Sequence, residues 1–142
     1  MSIDSYENIR TFVRCDIPLM AEMLEKSLIS SVNVRDSSCA NFTALMYQVR
    51  YGTVEGMEFL MASKPPALVN LQASNGYTAL HYAMMYAVRS RDPAKLRFLL
   101  DNGADKTIRT NGGETALEYA RRNKCPKECI EVLKSYTPKL RG

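Results

Sequence analysis

Long apolar runs are missing from this 142-residue chain. The longest, Tyr82 to Val88, has seven residues, far short of the roughly 20 that a membrane helix needs. Met1 to Glu7 carries acids where an export signal would carry bases ahead of an apolar stretch, so no export signal is read there. Histidine occurs once, at His81, and the four cysteines (Cys15, Cys39, Cys125, Cys129) contain no C-x-x-C pair. Without an export signal, reduced thiols are expected, not a disulfide framework. A strong excess of one charge is also absent. The net charge is +4, divided between −2 over residues 1–88 and +6 over residues 89–142. That basic half can steer an acidic partner, yet it is mild beside the dense basic faces of nucleic-acid binders.

What is present is ordinary globular composition, 46% hydrophobic and 24% charged, and an internal repeat. Asn41-Phe42-Thr43-Ala44-Leu45-Met46-Tyr47, Gly76-Tyr77-Thr78-Ala79-Leu80-His81-Tyr82 and Gly113-Glu114-Thr115-Ala116-Leu117-Glu118-Tyr119 share the pattern Thr-Ala-Leu-x-Tyr. Their threonines lie 35 and 37 residues apart. A second apolar cluster follows each: Met57 to Met61, Leu96 to Leu100, and Cys129 to Leu133. Two short helices per unit are expected, each too small to hide its apolar face alone. Each Thr suits an N-cap, and Gly103 suits the left-handed end of a second helix. Ala104 to Gly113, rich in turn formers, reads as a projecting hairpin-like loop.

Two motifs carry a resemblance. Asn75-Gly76-Tyr77-Thr78-Ala79-Leu80-His81-Tyr82-Ala83 is similar to the G-x-T-P-L-H-x-A signature of ankyrin repeats, and Leu99 to Asp105 resembles their L-L-x-x-G-A-D ending. The resemblance implies an all-α solenoid of helix-turn-helix units with hairpin-like loops, in one domain over residues 1–136. Its repeats would fall near 5–36, 37–71, 72–109 and 110–136, with a frayed tail at 137–142. The two surplus residues of the 35-residue spacing are expected in a loop around Lys64 to Ala67. The four surplus residues of the 37-residue spacing are expected in a loop around Ala87 to Arg91. Ala replaces the family's Pro after each Thr. The family's His, which ties neighbouring loops, occurs once, with Met46 and Glu118 at the equivalent positions.

Catalytic constellations are hard to find. His81 reads as a capping and loop-tying residue instead of a general base. Cys125 and Cys129, four apart on one predicted helix, read as small core residues, lacking further zinc ligands. Gly112-Gly113 lacks the rest of a phosphate-binding loop. Arg89, Arg91, Lys95 and Arg97, with Arg121, Arg122, Lys124 and Lys127, read as a solvated surface. No cofactor and no metal are expected, and the chain is read as a non-enzyme.

A partner-binding face is the remaining expectation. The resemblance places partner contacts just before each Thr, in the loop ahead of it, and seven and eight residues after it. Those positions hold Phe42, Arg50 and Tyr51; then Ser74, Asn75, Tyr77, Met85 and Tyr86; then Asn111, Glu114, Arg122 and Asn123. In the first unit they hold Val13 and Arg14. Phe42, Tyr51, Tyr77, Met85 and Tyr86 are expected to be exposed, a hot-spot composition flanked by arginine. Tyr47, Tyr82 and Tyr119 are expected to pack between units. The expected partner is a protein with an apolar segment and acids for Arg50 and Arg122, gripped on the concave face. Nucleic acid, membrane and small-molecule substrates are not expected. The chain is read as a cytoplasmic (or nuclear) monomer. The second reading is a recognition arm or inhibitory regulator of an enzyme complex.

Overall fold

A computed structural model describes residues 4–136, so the expected tail at 137–142 lies outside the described residues. The chain falls into two compact units, Met1–Leu68 and Val69–Gly142. Among the described residues there are eight helices and no strand, only one isolated antiparallel bridge between Asp36 and Phe42.

The first unit holds α1 (Tyr6–Arg14), α2 (Ile17–Glu25), α3 (Ala44–Tyr51) and α4 (Val54–Ala62). Each starts on a side chain that accepts a free amide of its first turn: Ser5, Asp16, Thr43 and Thr53. Phe12, Met20, Leu45, Met46, Val49, Met57 and Leu60 are buried together as its core. Gln48 is buried too, and it is fully used. Its amide donates to the Cys15 carbonyl at 3.3 Å, and its oxygen accepts from Thr53 N–H at 3.2 Å. Gly56 leaves room for that side chain, because a Cβ there would stand 2.2 Å from the Gln48 oxygen.

The second unit holds α5 (Ala79–Ser90), α6 (Ala94–Asp101), α7 (Ala116–Arg122) and α8 (Lys127–Ser135). Thr78 and Thr115 cap α5 and α7 as expected, and Gly103 closes α6 at φ +90°. The loop before each of these Thr-capped helices makes a tight turn. Ala73 N–H donates to Tyr77 O at 2.8 Å, and 37 residues on Thr110 N–H donates to Glu114 O at 2.9 Å. Gly76 (φ +82°) and Gly113 (φ +85°) occupy the same left-handed turn position. The first unit's counterpart joins Asp36 to Phe42 through Ala40 and Asn41, both at positive φ.

Asparagines tie the loops identically in both units. Asn33 donates to Pro66 O and accepts from Leu68 N–H; Asn70 donates to Gly103 O and accepts from Asp105 N–H.

Two expectations need correction. The four surplus residues around Ala87 to Arg91 are not a loop. They extend α5 to twelve residues, against eight in α3 and seven in α7, because Val88 to Ser90 simply continue the helical hydrogen bonding. Cys125 is not helical: it lies in the turn before α8, buried, with its thiol donating to the Met84 carbonyl at 3.4 Å. Cys129, on α8, is buried as expected.

Candidate functional site

In the second unit the first helices, α5 and α7, pack side by side, and aromatic rings collect at their N-terminal ends. Tyr77 sits in the loop before α5, half-buried. Its ring centre is 5.4 Å from that of His81, 5.5 Å from that of Tyr82 and 5.7 Å from that of Tyr119. Tilted and edge-on pairs at these separations are favourable, so the four rings hold one another in place. Tyr82 and Tyr119 are buried, as their place in the repeat suggests. Asn75 reinforces the group: its side-chain oxygen accepts from Tyr77 N–H, and its amide donates to the Tyr82 hydroxyl at 3.3 Å.

His81 has no spare chemistry. Thr78 N–H donates to Nδ1 at 3.2 Å, which makes Nδ1 the acceptor and assigns the proton to Nε2, 3.0 Å from Glu114 O. Burial lowers its pKa below 6.5, opposed by the Glu114 carbonyl and charge. A histidine bonded on both nitrogens to backbone is a structural tie.

Arg122 is also committed within the chain. Its Nε donates to one Glu114 oxygen at 2.7 Å and a terminal nitrogen to the other at 2.8 Å, a two-pronged pair. The guanidinium hydrogen bonds hold the Glu114 carboxyl below its usual range. Arg122 therefore does not stand free for a partner's acid, contrary to expectation; it lies 5.6 Å from the Tyr119 ring centre and walls the aromatic cluster. Asn123 donates to the Tyr119 carbonyl and ends α7.

Met85 and Tyr86 are half-buried on α5. The Lys95 ammonium lies 3.8 Å above the Tyr86 ring centre, a cation–π contact from the neighbouring helix. Burial lowers the Lys95 pKa, with Asp92 opposing. No spacing rule links Lys95 to Tyr86, so this pair is not legible in the sequence.

In the first unit, the largest correction concerns Phe42, which is 6% exposed. Its backbone bonds to Asp36 in the bridge, and that turns the ring inward as a core residue. Arg14 is committed as well, donating to Asp36 at 3.0 Å. Asp36 is 1% exposed and accepts additionally from the Ser38 amide and hydroxyl. Tyr51 is open, at 61%. Its ring centre is 5.2 Å from that of Tyr47, and the Arg50 guanidinium lies 5.1 Å from it.

The Cys15, Cys125 and Cys129 thiols are poorly suited to nucleophilic work. Burial, then Asp16, pushes the Cys15 pKa up to about 11, and burial raises Cys125 and Cys129 also. Among the described residues no three His, Cys, Asp or Glu side chains gather to hold a metal ion. No described helix is long and apolar enough to cross a membrane.

The family model for ankyrin repeats matches residues 18–109, in three copies. The chain is an ankyrin-repeat protein. Such repeats are generally protein–protein interaction modules and are typically non-catalytic. The ankyrin chain is also similar to the NAD-capped RNA hydrolase NUDT12 of Homo sapiens, Pongo abelii and Macaca fascicularis, at 41% identity over 58 residues in each. That stretch covers 41% of this chain and 12% of the length of those relatives.

Proposed function

We propose that this ankyrin-repeat chain is a non-catalytic module that binds a protein partner on the faces formed by its first helices and the loops before them. The observation that carries the proposal is the ring cluster of the second unit. Tyr77 is held against His81, Tyr82 and Tyr119 while staying half-exposed, so a partner side chain meets a surface already ordered. Preorganisation of this kind lowers the entropic cost of association. Met85, half-buried further along α5, adds an adaptable apolar contact. In the first unit, Tyr51 with Tyr47 and Arg50 offers a separate aromatic anchor whose Arg suits an acidic residue. The partner that fits is an apolar segment with acids beside it. His81 is occupied, and the Cys15, Cys125 and Cys129 thiols are raised in pKa, which supports binding over catalysis.

The second reading is a recognition arm or inhibitory regulator of an enzyme complex. The stretch shared with a much longer RNA-cap hydrolase favours it, because there a related segment accompanies an enzyme in one chain.

Affinity capture from native cells tests both. Substituting Tyr51 and Met85 by Ser leaves the buried rings in place and should remove a specific partner without changing helical circular dichroism. Undiminished capture would refute the binding face. A captured enzyme whose rate changes when the purified chain is added would select the second reading.

A further inference from the structure

The extra turn of α5 lies outside what the repeat needs for packing. Ala87 is the last buried residue of the helix; beyond it Val88 is 40% exposed and Arg89 is exposed. The helix then ends on Arg91 in the left-handed region, at φ 57°. The corresponding turn after α7 contains Lys124, also left-handed, at φ 53°. Glycine or asparagine is the unstrained choice at such a position, and a long basic side chain costs about 1 kcal/mol. Both positions nevertheless hold bases.

These two turns lie together. α5 packs on α7, and the Cys125 thiol, next to Lys124, reaches the Met84 carbonyl of α5. α6 packs on both α5 and α8, and the buried Cys129 of α8 lies within electrostatic reach of Glu128, Asp92, Arg91 and Arg97. Arg89, Arg91, Arg97, Lys124 and Lys127 are exposed on these packed helices and their turns, and none belongs to an ion pair among the described residues. We infer that the extra turn of α5 and the α7–α8 turn form a second docking surface, which takes an acidic segment of a protein partner with an apolar side chain on Val88.

A protein segment fits better than a polyphosphate. Asp92 and Glu128 interrupt the basic surface and would repel a continuous phosphate chain, whereas spaced carboxylates can avoid them. The nearby Tyr86 ring is already covered by Lys95, which leaves it poorly placed to stack on a base.

The test measures fluorescence anisotropy of a labelled peptide of alternating glutamate and leucine against the full chain, with oligothymidylate and phosphatidylserine vesicles as parallel probes. The peptide should bind at low salt and weaken as salt screens the charges. Arg91→Gly with Lys124→Gly should weaken it by about tenfold while leaving the melting temperature equal or higher, since both changes relieve strain. Tyr77→Ser should retain the binding, which separates this surface from the aromatic face. The inference is overturned by no peptide binding, by equal binding to the double variant, by tighter binding of the oligonucleotide or the vesicles, or by an equal loss in Tyr77→Ser.

Discussion

Nε2 of His81 donates to the main-chain oxygen of Glu114 at 3.0 Å, 33 residues along the chain, and so joins two successive turns of the second unit. Nδ1 of the same ring accepts from Thr78 N–H. Protonation of Nδ1 would remove that acceptor, and burial lowers the folded pKa below 6.5. For a base with a depressed folded pKa, the stabilisation is complete above the unfolded value, 6.5, and is lost as pH falls through the folded one. Urea midpoints should therefore decline below that pH. His81→Ala should lower the midpoint at neutral pH and flatten the decline. A decline of the same steepness in His81→Ala would assign the pH dependence elsewhere.

Gly76 and Gly103 share positive φ but not surroundings. A Cβ at Gly76 would stand 2.5 Å from the Asn111 backbone nitrogen, whereas one at Gly103 meets nothing within 4 Å. Gly103→Ala should cost only the left-handed penalty, about 1 kcal/mol. Gly76→Ala adds a clash with main chain and should cost about 2–3 kcal/mol. Denaturant titration of the two variants checks the order; equal losses would contradict the turn geometry.

Arg14 and Asp36 form an ion pair of the first unit, with the carboxylate buried and the guanidinium partly open. Arg14→Ala leaves that carboxylate with the Ser38 donors alone and should cost about 2 kcal/mol, less than a fully buried pair because water reaches the arginine. Asp36→Asn in the Arg14→Ala background should recover part of the loss, since the remaining group is neutral. A purely additive pair of losses in a thermodynamic cycle would mean that the contact contributes nothing.

Much of the architecture was legible because repeats state their own period. Thr43, Thr78 and Thr115 cap their helices through the hydroxyl, the interaction that the Thr-Ala-Leu pattern implies. His81 was readable for the same reason. The candidate face was less legible. Phe42 sits where the repeat suggests exposure, but a turn longer than those before Thr78 and Thr115 bonds it to Asp36 and folds the ring inward. The α5 extension is not legible because a four-residue surplus looks alike in sequence whether it loops or adds a helical turn. Arg122 gave no sign that Glu114, eight positions earlier, would occupy it, since their pairing joins a helix to the loop before it.

Site-specific photocrosslinking gives the most direct view of the proposed face. A photoreactive phenylalanine analogue would replace Tyr51, Tyr77 or, as control, the exposed Leu19 of α2. The chain would be irradiated in native cells and the adducts identified by mass spectrometry. Partner adducts from Tyr51 and Tyr77, with none from Leu19, are predicted. Adducts of the same partner from Leu19 alone would contradict binding on the faces of the first helices.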